Sequence, residues 1–126
     1  SHIHSSFCLI VRHLNRSQNM YRIVRLCRMA AVILLDQARL PGDEVYLELL
    51  DWREVAESIK TMRVRGAPAI GIAAAYGIAL AAKSGDPPGE VGRACDGLAQ
   101  VRPTAVNLSW AVERMRGLSP PGPPDF

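Results

Sequence analysis

Two short segments of this 126-residue chain could bind an anion, and each does so with an arginine beside a helix start. In Arg65-Gly66-Ala67-Pro68, a guanidinium precedes a glycine that lets the backbone approach a ligand closely, and Pro68 suits the first helical position. In Arg102-Pro103-Thr104, a second arginine immediately precedes another predicted helix start. The first turn of a helix exposes N–H groups without intrahelical partners and the positive end of the helix dipole. An adjacent guanidinium adds a planar, permanently charged fork that matches phosphate. If packing brings the two ends together, they form a pocket for one phosphorylated small molecule. A plain turn at Gly66 and a helix-end arginine of no special role are the alternative.

Other chemistry finds little support. Neither G-x-x-x-x-G-K-[ST] nor G-x-G-x-x-G occurs, so a nucleotide phosphate loop is not indicated. Residues 31–126 contain no histidine, and no Ser/His/Asp set or metal-ligand cluster can be assembled there. His2-x-His4 with Cys8 could hold a metal, but a short terminal His pair is ordinarily incidental, and neither metal nor cofactor is expected. Cys8, Cys27 and Cys95 are too few and too scattered for a disulfide framework and read as free thiols in a reducing, cytoplasmic setting.

The elements that must position the arginines are mostly helical. Apolar residues make up 48% and charged residues 21%, with few aromatics, which is the balance of a globular domain built from close-packed helices. Asp51-Trp52-Arg53-Glu54 starts a helix with a capping box, and Trp52, Val55, Ala56, Ile59 and Met62 form its apolar stripe up to about Val64. From Pro68 to Ala82 the chain is uncharged. Its internal glycines lower helix propensity by about 1 kcal/mol each, so close approach of another backbone is expected and this is the central helix. It is too short and too rich in Ala and Gly to cross a membrane. Ser84 to Gly89 reads as a loop. Val91, Ala94, Cys95 and Leu98 recur with helical spacing, and a last helix runs from about Thr104 to Arg116 on Leu108, Ala111, Val112 and Met115, with Gly117 as its cap.

Before these helices, Ala31 to Leu35 and Glu44 to Leu50 read as two strands of a hairpin or small sheet, with Val45, Leu47 and Leu49 on one face. Leu40-Pro41-Gly42-Asp43 between them has the sequence of a type II turn. The fold class is therefore α+β, a mostly helical domain with a small antiparallel β-sheet. Residues 1–30 differ from the rest: they hold five arginines, all three histidines and no acid. The remainder carries 10 Lys+Arg against 12 Asp+Glu, a net of −2, so the formal charge of +3 belongs to one end and does not make a nucleic-acid face. Residues 1–30 are read as a tag remnant, a transit-like leader or upstream sequence with Met20 as one true start, with order beginning near Ala31. Ser119 to Pro124 reads as an extended linker.

Three runs together resemble the methylthioribose-1-phosphate isomerases: Leu34-Leu35-Asp36-Gln37-x-x-Leu40-Pro41-Gly42, Thr61 through Gly77, and Arg102-Pro103-Thr104-Ala105-Val106-Asn107-Leu108. The resemblance covers about residues 31 to 117. It implies an enzyme of methionine salvage that converts 5-methylthioribose 1-phosphate to 5-methylthioribulose 1-phosphate. Within it, Arg65, Gly66, Ala67 and Arg102 are implied to contact the substrate. The implied partners are the phosphorylated sugar and a second copy of the chain, with neither nucleic acid nor membrane. The resemblance also implies a catalytic cysteine and aspartate in a larger carboxy-terminal Rossmann-like domain beyond residue 126; Cys95 does not match that cysteine's motif. The expected organisation is then residues 1–30 as a non-family extension, 31–117 as a substrate-binding domain and 118–126 as a linker. The isolated chain is expected to have no turnover. A ribose-1,5-bisphosphate isomerase and a regulatory subunit of the translation-initiation guanine-nucleotide exchange factor are the competing members of the superfamily. The uninterrupted run from Arg65 to Gly71 with Arg102-Pro103-Thr104 favours the methylthioribose enzyme.

Overall fold

The computed structural model describes residues 8, 9, 11–13, 15, 16, 20, 22–27, 31–83, 87–103 and 105–117. Strands β1 (Val24–Cys27), β2 (Ala31–Leu35) and β3 (Tyr46–Leu49) form one antiparallel sheet in the order β1-β2-β3. Helices α1 (Trp52–Lys60), α2 (Ala67–Ala81), α3 (Pro87–Val101) and α4 (Val106–Arg116) follow. This is the mostly helical α+β arrangement expected from the sequence.

The sheet pairs Val24 with Leu34 and Leu34 with Leu47, and Val32 with Leu49. Strand period 2 therefore puts Val24, Val32, Leu34, Leu47 and Leu49 on one face, which meets the helices. β1 is a strand more than the sequence suggested, and it precedes Ala31. It is only four residues long and carries Arg25, whose guanidinium lies over the Tyr46 ring on the outer face, 5.4 Å from its centroid. A short strand that owes its place to cross-strand contacts leaves little periodic signal. Cys8, Val11 and Asn15 are helical and fully buried, and Asn15 Nδ2 donates to the Val24 carbonyl (2.9 Å) and to the Tyr76 hydroxyl (3.1 Å).

Between β2 and β3 the type II turn does not form. Gln37–Arg39 is a 3-10 turn capped by Asp36, whose carboxylate accepts from the Ala38 N–H (3.1 Å). Gly42 does not take a positive φ, and the Leu40–Pro41 bond is cis. Local side-chain bonding from Asp36 outweighs the Pro-Gly preference.

α2 is buried from Ala69 to Ala82 and packs against α1, α3, α4, β1 and β2, as an all-apolar helix must. Gly71 faces α4: a Cβ there would lie 3.2 Å from the Asn107 carbonyl oxygen. Small residues thus let α4 approach α2 closely, and that sets the position of the α4 N-terminus.

α1 is capped by Asp51, which accepts from the Arg53 N–H (2.7 Å), while Glu54 accepts from the Leu50 N–H (2.9 Å). The reciprocal capping is present, shifted by one residue from the ideal box. α1 ends at Lys60, earlier than Val64. The Arg63 N–H donates to the Ser58 carbonyl (2.9 Å) and the Met62 N–H to the Ile59 carbonyl (3.2 Å), the paired bonds of a Schellman motif. The left-handed position of that motif is occupied by Met62, at φ 63°. Glycine is favoured there, and a side-chain-bearing residue in this region is strained by about 1 kcal/mol or more. Met62→Gly should therefore raise stability by about 0.5–1 kcal/mol, read as a rise of a few degrees in Tm. A fall in Tm would show that the Met62 side chain contributes more than the strain removes.

α3 starts at Pro87, so Pro87 to Gly89 are helical rather than part of the loop; prolines are tolerated in a first turn because those N–H groups lack intrahelical partners anyway. Ser84 to Asp86 and the linker segment 118–126 lie outside the described residues. Val91, Ala94, Cys95 and Leu98 are buried as expected, and so are Leu108, Ala111, Val112 and Met115 of α4. Gly117 is the α4 C-cap, but at φ −64° and so without the left-handed turn.

Candidate functional site

The N-termini of α2 and α4 open onto one cleft of about 430 Å³. Met62, Arg65, Gly66 and Ile70 line it from the α1–α2 junction, and Arg102, Ala105, Val106 and Asn107 line it from the α3–α4 junction. Arg65 and Arg102, 37 positions apart in sequence, therefore share a cavity. The eight lining residues include two guanidinium groups and no acid. Among the described residues, no carboxylate pairs with either arginine.

Each helix end is left open at its head. Gly66 is the N-cap of α2 and Ala105 that of α4, and neither cap makes a side-chain hydrogen bond. α1 shows the usual alternative, with Asp51 satisfying its first turn. A bare helix start carries unpaired N–H donors and about half a positive charge, and here two of them meet. In α2 the first intrahelical bond is from the Ile70 N–H to the Gly66 carbonyl (3.0 Å); in α4 the Leu108 N–H (3.1 Å) and the Ser109 N–H (3.2 Å) both reach the Ala105 carbonyl. The backbone N–H groups before those are the donors an anion would use.

Gly66 makes the α2 end possible. At φ 92° and ψ 136° it sits where a residue with a Cβ is strongly disfavoured, and no atom would lie within 4 Å of an added Cβ. Backbone conformation, rather than crowding, is what calls for glycine. Ala67 is the first residue of α2 and Pro68 the second, one position later than the sequence suggested. Arg102 stands four residues before α4 rather than directly at its start, because the helix begins at Val106; the Ala105 N–H bonds back to the Arg102 carbonyl (2.9 Å), closing the intervening turn. Thr104 lies outside the described residues. Asn107 and Gln37 were not singled out from the sequence, and Met62 was read as part of the α1 apolar stripe, whereas it lies beyond α1 and lines the cleft. Asn107 and Gln37 lie inside the motif runs, yet nothing in residue type distinguishes them from surface amides; the strain at Met62 is invisible without φ.

The cleft offers binding rather than proton transfer, since its lining holds no histidine, cysteine or carboxylate. Cys95 is no substitute nucleophile. It is buried on α3 away from the cleft, and desolvation pushes its thiol up to about 11 despite the nearby Arg116 guanidinium. Burial likewise raises Cys8 to about 11. Cys95 in the native chain should therefore resist iodoacetamide at pH 8, reacting at least about tenfold more slowly than in urea, as followed by mass spectrometry. Because the folded state holds these thiol protons above the ordinary value of 9.0, stability should fall as pH rises from about 9 to 11 and be indifferent to these groups below that window. Among the described residues no group of His, Cys, Asp and Glu could hold a metal ion, and no helix is long and apolar enough to cross a membrane.

Fold and cleft together define an α+β domain in which two arginine-bearing helix starts face one cleft. No family model matches the chain. It is 59% identical over 83 residues to the methylthioribose-1-phosphate isomerase of Synechococcus sp. (strain CC9902), covering 66% of this chain and 24% of that protein. It is 53% identical over 92 residues to the enzyme of the same name from Anaeromyxobacter sp. (strain Fw109-5), covering 71% and 27%. The fold superposes on the crystal structure of 5-methylthioribose 1-phosphate isomerase from Pyrococcus horikoshii OT3 with a TM-score of 0.71 and 39% identity, over 75% of this chain and 28% of that one. It also superposes on translation initiation factor eIF-2B, subunit delta, from A. fulgidus, with a TM-score of 0.67 and 40% identity over 72% and 28%. The chain is thus a relative of the methylthioribose-1-phosphate isomerases over about two thirds of its own length, and it spans about a quarter of theirs.

Proposed function

We propose that residues 31–117 form the substrate-gripping domain of a methylthioribose-1-phosphate isomerase, with Arg65, Gly66, Ala67 and Arg102 holding the phosphorylated sugar. The observation that carries this reading is the pair of uncapped helix starts, each with its own arginine, facing one cleft. A phosphate dianion placed there accepts backbone N–H bonds from both helices and charge-assisted bonds from both guanidinium groups. The reaction is an aldose–ketose isomerisation, 5-methylthioribose 1-phosphate to 5-methylthioribulose 1-phosphate, which opens the ring and moves hydrogen from C2 to C1. C1 carries the phosphate, so fixing the phosphate fixes the reacting carbons relative to whatever group moves the proton.

The cleft residues supply orientation and charge, and the proton chemistry belongs to a cysteine and an aspartate outside residues 31–117. In the complete protein we place a homodimer in the cytoplasm. The two structural neighbours share the fold at similar identity, so fold alone does not separate an enzyme from a regulatory subunit. The uninterrupted Arg65-to-Gly71 run and the isomerase names of the curated relatives favour the enzyme.

The test compares 5-methylthioribose 1-phosphate with unphosphorylated 5-methylthioribose in a thermal-shift titration. The ester should raise Tm and the free sugar should not. Binding should weaken below about pH 6 as the phosphate monoester dianion is protonated to the monoanion. Equal responses to the two sugars would rule out a phosphate grip.

A further inference from the structure

Arg102 and Arg65 are held in different ways. Arg65 lies in the short segment between α1 and α2, which leaves the left-handed turn at Met62 and enters α2 through Gly66 at φ 92°. A segment with two unusual backbone positions and no regular secondary structure needs an external tie to hold one geometry. That tie comes from one residue near the sheet, 28 positions away. The Gln37 N–H donates to the Arg63 carbonyl (2.7 Å). The Gln37 side-chain Oε1 accepts from the Arg65 N–H (2.6 Å), and the Gln37 carbonyl accepts from the Arg65 guanidinium. Three hydrogen bonds from a single residue thus bracket Arg65 on both its backbone and its side chain.

Gln37 is itself anchored. It is the first residue of the 3-10 turn capped by Asp36, which is 3% exposed and whose own N–H donates to the Val45 carbonyl (2.8 Å). β2 and the turn that follows it therefore form a platform, and Gln37 transmits its position to the cleft. A guanidinium has five N–H donors, so one bond to the Gln37 carbonyl leaves a fork free for an anion while removing much of the freedom of an exposed arginine.

We propose that Gln37 is a positioning residue of the anion site, fixing the Arg65 backbone and aiming its guanidinium into the cleft. It touches no ligand; it acts through Arg65. The proposal rests on the reading of the cleft as a phosphate site. A mere surface staple would show the same bonds, and what separates the two is whether loss of Gln37 is felt by the ligand through Arg65.

The experiment titrates inorganic phosphate into the isotopically labelled chain by NMR, with amide hydrogen exchange measured at Arg65. Gln37→Met keeps the side-chain volume and removes the acceptor; Gln37→Glu keeps acceptor oxygens at the same reach. Gln37→Met should raise the Kd for inorganic phosphate about fivefold to tenfold and accelerate Arg65 amide exchange with little change in Tm. Gln37→Glu should restore slow exchange at Arg65, although its charge opposes the anion. In an Arg65→Ala background, where Arg102 still binds phosphate weakly, Gln37→Met should change the Kd by less than about twofold, since coupled residues are not additive. An unchanged Kd in Gln37→Met, or a full fivefold to tenfold loss persisting without Arg65, overturns the proposal. Absence of phosphate binding by the wild-type chain would sink the functional reading alone. Positioning would then be judged by amide exchange: upheld if Gln37→Met accelerates it at Arg65 and refuted if it does not.

Discussion

Replacing Arg65 and Arg102 together with alanine is expected to raise the Kd for 5-methylthioribose 1-phosphate about 1,000-fold, measured by calorimetry, with little loss of thermal stability. The size follows from the number and kind of bonds removed. Each charge-assisted contact to phosphate contributes roughly 1.5–3 kcal/mol, or about tenfold to 100-fold in affinity. The single variants should not be equal. Arg102 is half-buried and Arg65 exposed, and charges interact more strongly where water is partly excluded, so Arg102→Ala should cost more than Arg65→Ala. Lysine at either position keeps the charge but not the planar fork and should fall between wild type and alanine. Stability should hold because neither guanidinium pairs with a carboxylate among the described residues. An Arg102→Ala chain that binds the ester as well as wild type would remove the α3–α4 junction from the site.

The second large effect is at Gly71, where packing and function meet. A Cβ there would sit 3.2 Å from the Asn107 carbonyl oxygen and 3.6 Å from the Asn107 Cβ, and a backbone atom cannot step aside as a side chain can. Gly71→Val should destabilise the chain by about 2–3 kcal/mol, lowering Tm by about 10 °C or more. The same push moves the α4 N-terminus off α2, and with it the donors of one half of the cleft. Ester affinity should fall about tenfold further even at temperatures where the chain remains folded. Gly71→Ala should lie between wild type and valine, because gained helix propensity of about 1 kcal/mol opposes the contact. Gly92 on α3 gives the contrast: nothing lies within 4 Å of its Cβ position, so Gly92→Ala should stabilise by roughly 0.5–1 kcal/mol. Were both alanine variants to shift Tm upward by equal amounts, close approach of α4 would not be what Gly71 provides.

Helices were legible in the sequence wherever packing writes a period. The stripes of α3 and α4 were read residue by residue, as was that of α1 except for Met62, which lies past the helix end and is about half exposed; the uncharged Ala/Gly segment was placed at the centre, where α2 lies. Boundaries were less legible, for local reasons. α1 stops at Lys60 because a Schellman motif forms with Met62 in the left-handed position, which no propensity for methionine would suggest. α3 begins early because Pro87 and Pro88 stop a helix only when they lie inside it. β1 was missed because four residues with an arginine among them make no pattern until β2 is alongside.

The site was legible as two halves and not as a whole. Arg65, Gly66 and Arg102 were chosen because arginine and glycine beside a helix start have one chemistry in common. That the two starts face each other depends on Gly71 admitting Asn107, a contact between residues 36 positions apart. Gln37 escaped notice for the same reason: its three bonds to the Arg63–Arg65 segment exist only in three dimensions. Sequence carries the chemistry of single residues well and their convergence poorly.

Titration of 5-methylthioribose 1-phosphate into the labelled chain, followed by amide chemical shifts, addresses the convergence of the two helix starts head-on. The amides of Gly66, Ala67 and Ala69 on one side and of Val106 and Asn107 on the other should shift together, with a single Kd. Shifts confined to one of the two junctions, or centred on residues outside the cleft, would contradict a shared phosphate site.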